Sequence, residues 1–163
     1  MENFQYYTPT KIIFGRGAEE QTGQLAAEQG CKKVLVHYGG GSVVRSGLLE
    51  RIYRSLDAVG ISYVSLGGVV PNPRLSLVYE GIRLARKEQV DFILAVGGGS
   101  VMDIAKLASV SAPEEYGVRD MLKDPLIGKK RTPTLLIPTT AGTGSEATPN
   151  SIVAVPEIGR AHV

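Results

Sequence analysis

Apolar positions along the chain follow two alternating rhythms. Compact runs at 34–36 (VLV), 61–66 (ISYVSL), 92–96 (FILAV) and 134–137 (TLLI) have the composition of strands. Between them, apolar residues recur every third or fourth position, as on one face of a helix. Val44, Leu48, Ile52, Leu56 and Val59 predict one helix, closed by Gly60. Val78, Ile82 and Ala85 predict another over 75–88, and Val101, Ile104, Ala105 and Ala108 a third over 100–110. A helix with a thin apolar face is predicted over 18–29, ending at Gly30. Residues 4–15 read as two short strands around Thr8-Pro9-Thr10. Pro71-Asn72-Pro73 interrupts the chain after 61–66, residues 111–132 read as loop-rich, and 151–155 as a last strand. Strands and helices alternating at about 30-residue spacing predict a parallel sheet with right-handed crossovers. The expected fold is α/β: a parallel, Rossmann-like sheet with helices on both faces and an N-terminal β-hairpin.

Length and charge narrow the picture. A chain of 163 residues suits one domain and can bury a core without disulfides or metals. Eighteen Lys and Arg against 16 Asp and Glu leave a net charge of +2, and no long basic run points to nucleic acid or a membrane surface. The longest uninterrupted apolar run, 92–96, has five residues, far short of the ~20 of a spanning helix. The first ten residues, MENFQYYTPT, lack the basic and apolar regions of a secretory signal. Cys31 is the only cysteine, which excludes an intrachain disulfide. These features point to the cytoplasm. Glycine is enriched, at 20 of 163 residues against ~7% in average proteins. Eight of the 20 fall in three short turns, at 39–41, 97–99, and 142 with 144.

Those turns carry the candidate chemistry. At 92–106 (FILAVGGGSVMDIAK) a buried strand passes through three glycines directly into a helix. Glycines let the backbone approach a ligand closely, and a helix start offers unpaired N–H groups and a positive dipole end. The Ser100 hydroxyl donates a hydrogen bond to a phosphate oxygen in that reading and is a simple N-cap in the plainer one. The Rossmann G-x-G-x-x-G spacing is absent, as is a Walker sequence. The second turn follows 34–36 as His37-Tyr38-Gly39-Gly40-Gly41-Ser42. No acidic residue occurs until Glu50, and Arg45 is close by, so this turn suits a 2′-phosphate as well as it suits an ordinary glycine turn. The third segment, 138–148 (PTTAGTGSEAT), places five hydroxyls within ten residues, either as donors to a ligand or bonded to their own backbone. Glu146 reads as a capping or solvated carboxylate before a catalytic one. With His37 and His162 the only histidines, no metal-ligand spacing is present, and His37 reads as a strand-end residue.

Together these segments resemble the iron-containing alcohol dehydrogenase family. The resemblance rests on 8–15 (TPTKIIFG), 71–73 (PNP), 97–106 (GGGSVMDIAK) and 138–146 (PTTAGTGSE), in that order. The turn at 38–42 (YGGGS) resembles the branch of NADPH-dependent butanol dehydrogenases and aldehyde reductases. The resemblance implies an N-terminal α/β domain like that of dehydroquinate synthase, and hydride transfer between NAD(P)H and an aldehyde or alcohol. It implies that Gly98, Gly99 and Ser100 hold the pyrophosphate, and that Thr139, Thr140, Thr143 and Thr148 line the channel towards the nicotinamide. Asn72 would sit near the coenzyme, Asp103 would orient the turn, and Gly40, Gly41 and Ser42 would take the 2′-phosphate. NADP(H) is therefore favoured over NAD(H).

The family binds Fe²⁺ or Zn²⁺ through one Asp and three His, none matched here, so the metal is expected not to bind this chain. The expected organisation is a dinucleotide-binding domain over 1–155 and an atypical tail over 156–163, left by truncation or frameshift. The C-terminal helical metal-binding domain is expected to be absent, and turnover with it. A homodimer is implied for the full-length protein. The alternatives are an NAD-using, non-redox lyase of the dehydroquinate synthase type, or a non-catalytic nucleotide-binding fragment.

Overall fold

A computed structural model describes residues 9–114, 117–124, 127, 130–155 and 159–162. A 3-10 turn at Ala18–Gln21 leads into α1 (Thr22–Glu28), followed by β1 (Lys33–Tyr38), α2 (Gly41–Arg45), α3 (Leu48–Ala58) and β2 (Ser62–Leu66). Next come α4 (Leu75–Lys87), β3 (Phe92–Gly97), α5 (Gly99–Ser111) and α6 (Val118–Lys123). The chain continues through β4 (Thr134–Pro138), a 3-10 turn at Ser145–Ala147, β5 (Ile152–Val155) and β6 (Gly159–His162).

The first four strands form one parallel sheet in the order β2-β1-β3-β4. The inner strands β1 and β3 are covered on both faces, which explains their unbroken apolar sequence. On one face Val34, Val36, Phe92, Leu94 and Val96 pack with Ala26 of α1, Val43 of α2, and Leu49, Ile52 and Leu56 of α3. On the other, Leu35, Ile93 and Ala95 meet α4, α5, α6 and β5 through Val78, Ile82, Ile104, Ala108, Met121 and Val153. The expected α/β architecture with helices on both faces is present.

Several expectations need correction. The single helix carrying Val44 through Val59 is two, because Gly47 (φ 69°) takes a left-handed conformation between α2 and α3. Val44, before that break, is 55% exposed, and Val59, past the end of α3, is 44% exposed, while Ile52 and Leu56 are buried. The stretch read as loop at 111–132 contains α6. The strand at 151–155 is not part of the main sheet: β5 pairs antiparallel with β6, inside the stretch expected to be an atypical tail. Residues 9–15 belong to no strand, so the described half of the N-terminal β-hairpin is not formed, and its other arm at 4–8 lies outside the described residues. His37, read as a strand-end residue, is the last residue but one of β1 and is fully buried there.

Candidate functional site

The strand order reverses between β1 and β3, so the crevice beyond their carboxyl ends is the topological switch point of the sheet, where open α/β sheets bind ligands. The three small-residue segments meet there. The Gly39 amide donates to Val96 O (3.2 Å), joining the first turn to the end of β3. Val101 of α5 lies beneath both turns: a Cβ on Gly97 would stand 2.5 Å from Val101 Cγ2, and one on Gly39 would stand 3.3 Å from it. Neither glycine could become alanine without moving Val101. The Thr139 amide donates to Gly97 O (3.0 Å), Thr140 Oγ1 would be 2.9 Å from a Cβ on Gly98, and Thr143 lies against Gly99.

At the centre of this arrangement is the start of α5. Gly98 occupies the N-cap with extended backbone and supplies no side-chain cap, so the amides of the first turn are presented to the crevice. A helix of 13 residues directs its positive end there, the chemistry of a phosphate cradle. Alongside is a cleft of about 160 Å³ lined by Asn72, Pro73, Gly99, Ser100, Asp103 and Ile152 to Ala154. Asn72 adopts a left-handed conformation (φ 59°) and Pro73 is buried, which fixes that wall.

Of the residues expected at the site, Asn72, Gly99, Ser100 and Asp103 share the cleft, and Gly98, Thr139, Thr140 and Thr143 form its glycine–threonine rim. Gly40, Gly41 and Ser42 begin α2, outside the lining of that cleft. Arg45 folds back so that its guanidinium covers Gly41. Thr148 is exposed beyond the second 3-10 turn, and no described bond joins it to the other threonines. Glu146 accepts from Thr143 Oγ1 (3.1 Å).

Sequence reasoning missed the bonds behind the rim. Ser145 is buried; its hydroxyl donates to Asp103 Oδ1 (2.8 Å) and accepts from Lys106 Nζ (2.8 Å), which also donates to Asn150 O (2.9 Å). Ser151 Oγ donates to Asp103 O (2.7 Å). The signal available was an ionisable pair at i, i+3 on an otherwise apolar helix. Burial pulls the Lys106 pKa down, opposed by the charges of Asp103 and Glu146 and aided by Arg131. Among the described residues, no group of three or more His, Cys, Asp or Glu side chains is placed to hold a metal.

A model of the iron-containing alcohol dehydrogenase family matches residues 9–162. The chain belongs to that family. The match continues past residue 155, into the hairpin of β5 and β6. A probable NADH-dependent butanol dehydrogenase of Bacillus subtilis is 42% identical over 94% of this chain and 39% of its own length. An NADPH-dependent aldehyde reductase of Escherichia coli is 35% identical over 94% of this chain and 40% of its own. Among solved structures, the NADH-dependent butanol dehydrogenase A of Thermotoga maritima superposes with a TM-score of 0.95 at 38% identity, covering all of this chain and 41% of that one. The chain thus spans about 40% of the length of the relatives it matches.

Proposed function

We propose that this chain is the coenzyme-binding portion of a metal-dependent oxidoreductase that interconverts alcohols and aldehydes, with the crevice between β1 and β3 as its NAD(P)H site. One observation carries the reading: the uncapped start of α5 follows a glycine turn in which a Cβ on Gly97 or Gly98 would come within 3 Å of Val101 or Thr140, and Gly39 of the neighbouring turn is tight against the same Val101. The pyrophosphate binds the amides of Gly98, Gly99 and Ser100. Thr139, Thr140, Thr143 and Thr148 line the way to the nicotinamide, and Asn72 contributes the opposite wall. When bound, the coenzyme supplies or takes up the hydride. The residues of this chain fix its backbone and exclude side chains from its path. Among the described residues no group of three or more His, Cys, Asp or Glu side chains is placed to hold the family's Fe²⁺ or Zn²⁺. A homodimer in the cytoplasm completes the reading.

Two coenzyme readings have support. NADP(H) is favoured by the turn at Gly40, Gly41 and Ser42, which has no carboxylate to repel a 2′-phosphate and a guanidinium folded over it. NAD(H) is favoured by the names of relatives such as the NADH-dependent butanol dehydrogenases of Bacillus subtilis and Clostridium acetobutylicum. Fluorescence titration of the chain with NADPH and NADH decides. Tighter NADPH binding, weakened by Arg45→Gln, is the expected result. Equal or tighter NADH binding removes the 2′-phosphate role of the turn, and absence of binding by both removes the coenzyme site itself.

A further inference from the structure

The hydrogen-bond chain behind the threonine rim has a direction. A lysine ammonium can only donate, so Ser145 Oγ accepts from Lys106 and must direct its own proton to Asp103 Oδ1. The three groups are nearly enclosed: the Lys106 and Asp103 side chains are 12% and 13% exposed. An enclosed pair of opposite charges is a poor way to add stability, because desolvation offsets much of the attraction. Its value lies in geometry. The loop between β4 and the second 3-10 turn is pinned at its start by Thr139 N–H to Gly97 O and at its end by Ser145, with Gly144 (φ 65°) turning the chain between Thr143 and Ser145. Lys106 holds the far pin twice, through Ser145 and through Asn150 O, and Ser151 fastens the next residue to Asp103 O. Both pins belong to the β3–α5 unit that presents the phosphate cradle.

Charge gives the lysine a second task. Asp103 lines the cleft one turn from Ser100, where a dianionic pyrophosphate is proposed to lie. The Lys106 ammonium, 3.9 Å from Asp103 Oδ1, offsets that carboxylate. We propose that Lys106, acting through Ser145 and Asp103, is a positioning residue for the coenzyme crevice: it holds the threonine loop 139–144 against the glycine turn of α5 and neutralises the carboxylate beside the pyrophosphate. The proposal rests on the coenzyme reading given above, but its loop-anchoring half can be tested without any coenzyme.

Lys106→Met, Ser145→Ala and their combination are compared with Lys106→Arg, which keeps the charge. Amide hydrogen exchange over 139–147 is measured on the coenzyme-free chain. NADPH and NADH dissociation constants are measured well below each variant's melting temperature, where every variant is folded by circular dichroism. Expected are faster loop exchange in Lys106→Met and Ser145→Ala, and dissociation constants raised about tenfold, the weight of one charge-assisted hydrogen bond. The double variant should be little worse than either single one, and Lys106→Arg should recover most of the affinity. A purely structural lysine lowers the melting temperature while affinity in the folded range stays unchanged, and that result overturns the proposal. If the unsubstituted chain binds neither coenzyme, the function reading fails by itself. Loop exchange then decides the anchor: faster exchange in the variants sustains it, and unchanged exchange overturns it.

Discussion

At the scale of single residues, His37 has the least ordinary surroundings. It is fully buried in β1, neither ring nitrogen has a hydrogen-bond partner, and its ring lies over Gly81 of α4, where a Cβ would come within 2.7 Å of Cε1. Burial alone holds its pKa down at about 4. In the unfolded chain the same imidazole titrates near 6.5. The folded state therefore binds fewer protons than the unfolded state between these values, and stability falls as the pH falls. The full contribution is present above about pH 6.5 and is gone below about pH 4; a gap of about 2.5 units corresponds to about 3 kcal/mol. Urea unfolding at pH 7.5 and pH 4.5 should show this acid loss in the native chain and much less of it in His37→Leu. Equal pH dependence in the two proteins would remove His37 as the cause.

At the scale of elements, two contacts set how helices sit on the sheet. Gly23 of α1 meets α3 so closely that a Cβ would overlap the Ser55 backbone carbonyl, while the Gly23 amide donates to Ser55 Oγ (2.9 Å) and that hydroxyl donates to Glu20 O (2.6 Å). Glycine to alanine inside a helix normally stabilises by about 1 kcal/mol. Here backbone must move, so Gly23→Ala should instead destabilise by about 3 kcal/mol in denaturant unfolding, and the sign alone tests the contact. At the other end of α5 from the crevice, Arg86 of α4 donates to the carbonyls of Ser111, Ala112 and Glu114. Arg86→Met should cost about 1 kcal/mol, reduced by exposure, and leave NADPH and NADH binding unchanged. A matching loss of affinity would show that the whole helix, not just its first turn, sets the crevice. Strand identity was legible in the sequence because β1 and β3 are buried on both faces and their apolar runs have no other reading. The break at Gly47 was not, since Val44 continues the spacing of Leu48 and Ile52 whether or not it is buried. Nor was the β5–β6 pairing, because a short antiparallel hairpin beside α5 leaves no periodic trace.

At the scale of the whole molecule, the site was legible where it is made of backbone and hidden where it is made of side-chain bonds. Three runs of glycine and threonine could be located from composition, and the reversal of strand order brings them together. The Lys106, Ser145 and Asp103 chain joins residues 39 and 42 positions apart, a relation that only the fold supplies. The same division of labour bears on activity. Among the described residues the start of α5 is the proposed anion cradle and no group of three or more His, Cys, Asp or Glu side chains is placed to hold a metal, whereas the metal-dependent reading proposed above calls for a Lewis acid at the substrate oxygen. The 163-residue chain should therefore bind coenzyme without turning it over. Mixed with butanal and NADPH or NADH, it should leave the absorbance of the reduced coenzyme at the rate of a protein-free blank, with Fe²⁺, Zn²⁺ or a chelator added. Oxidation that survives the chelator would place the electrophilic group among these residues after all. The cleft beside Asp103 would then be the place to look, since Asp103 lines it together with Gly99 and Ser100 and Lys106 lies 3.9 Å from its carboxylate.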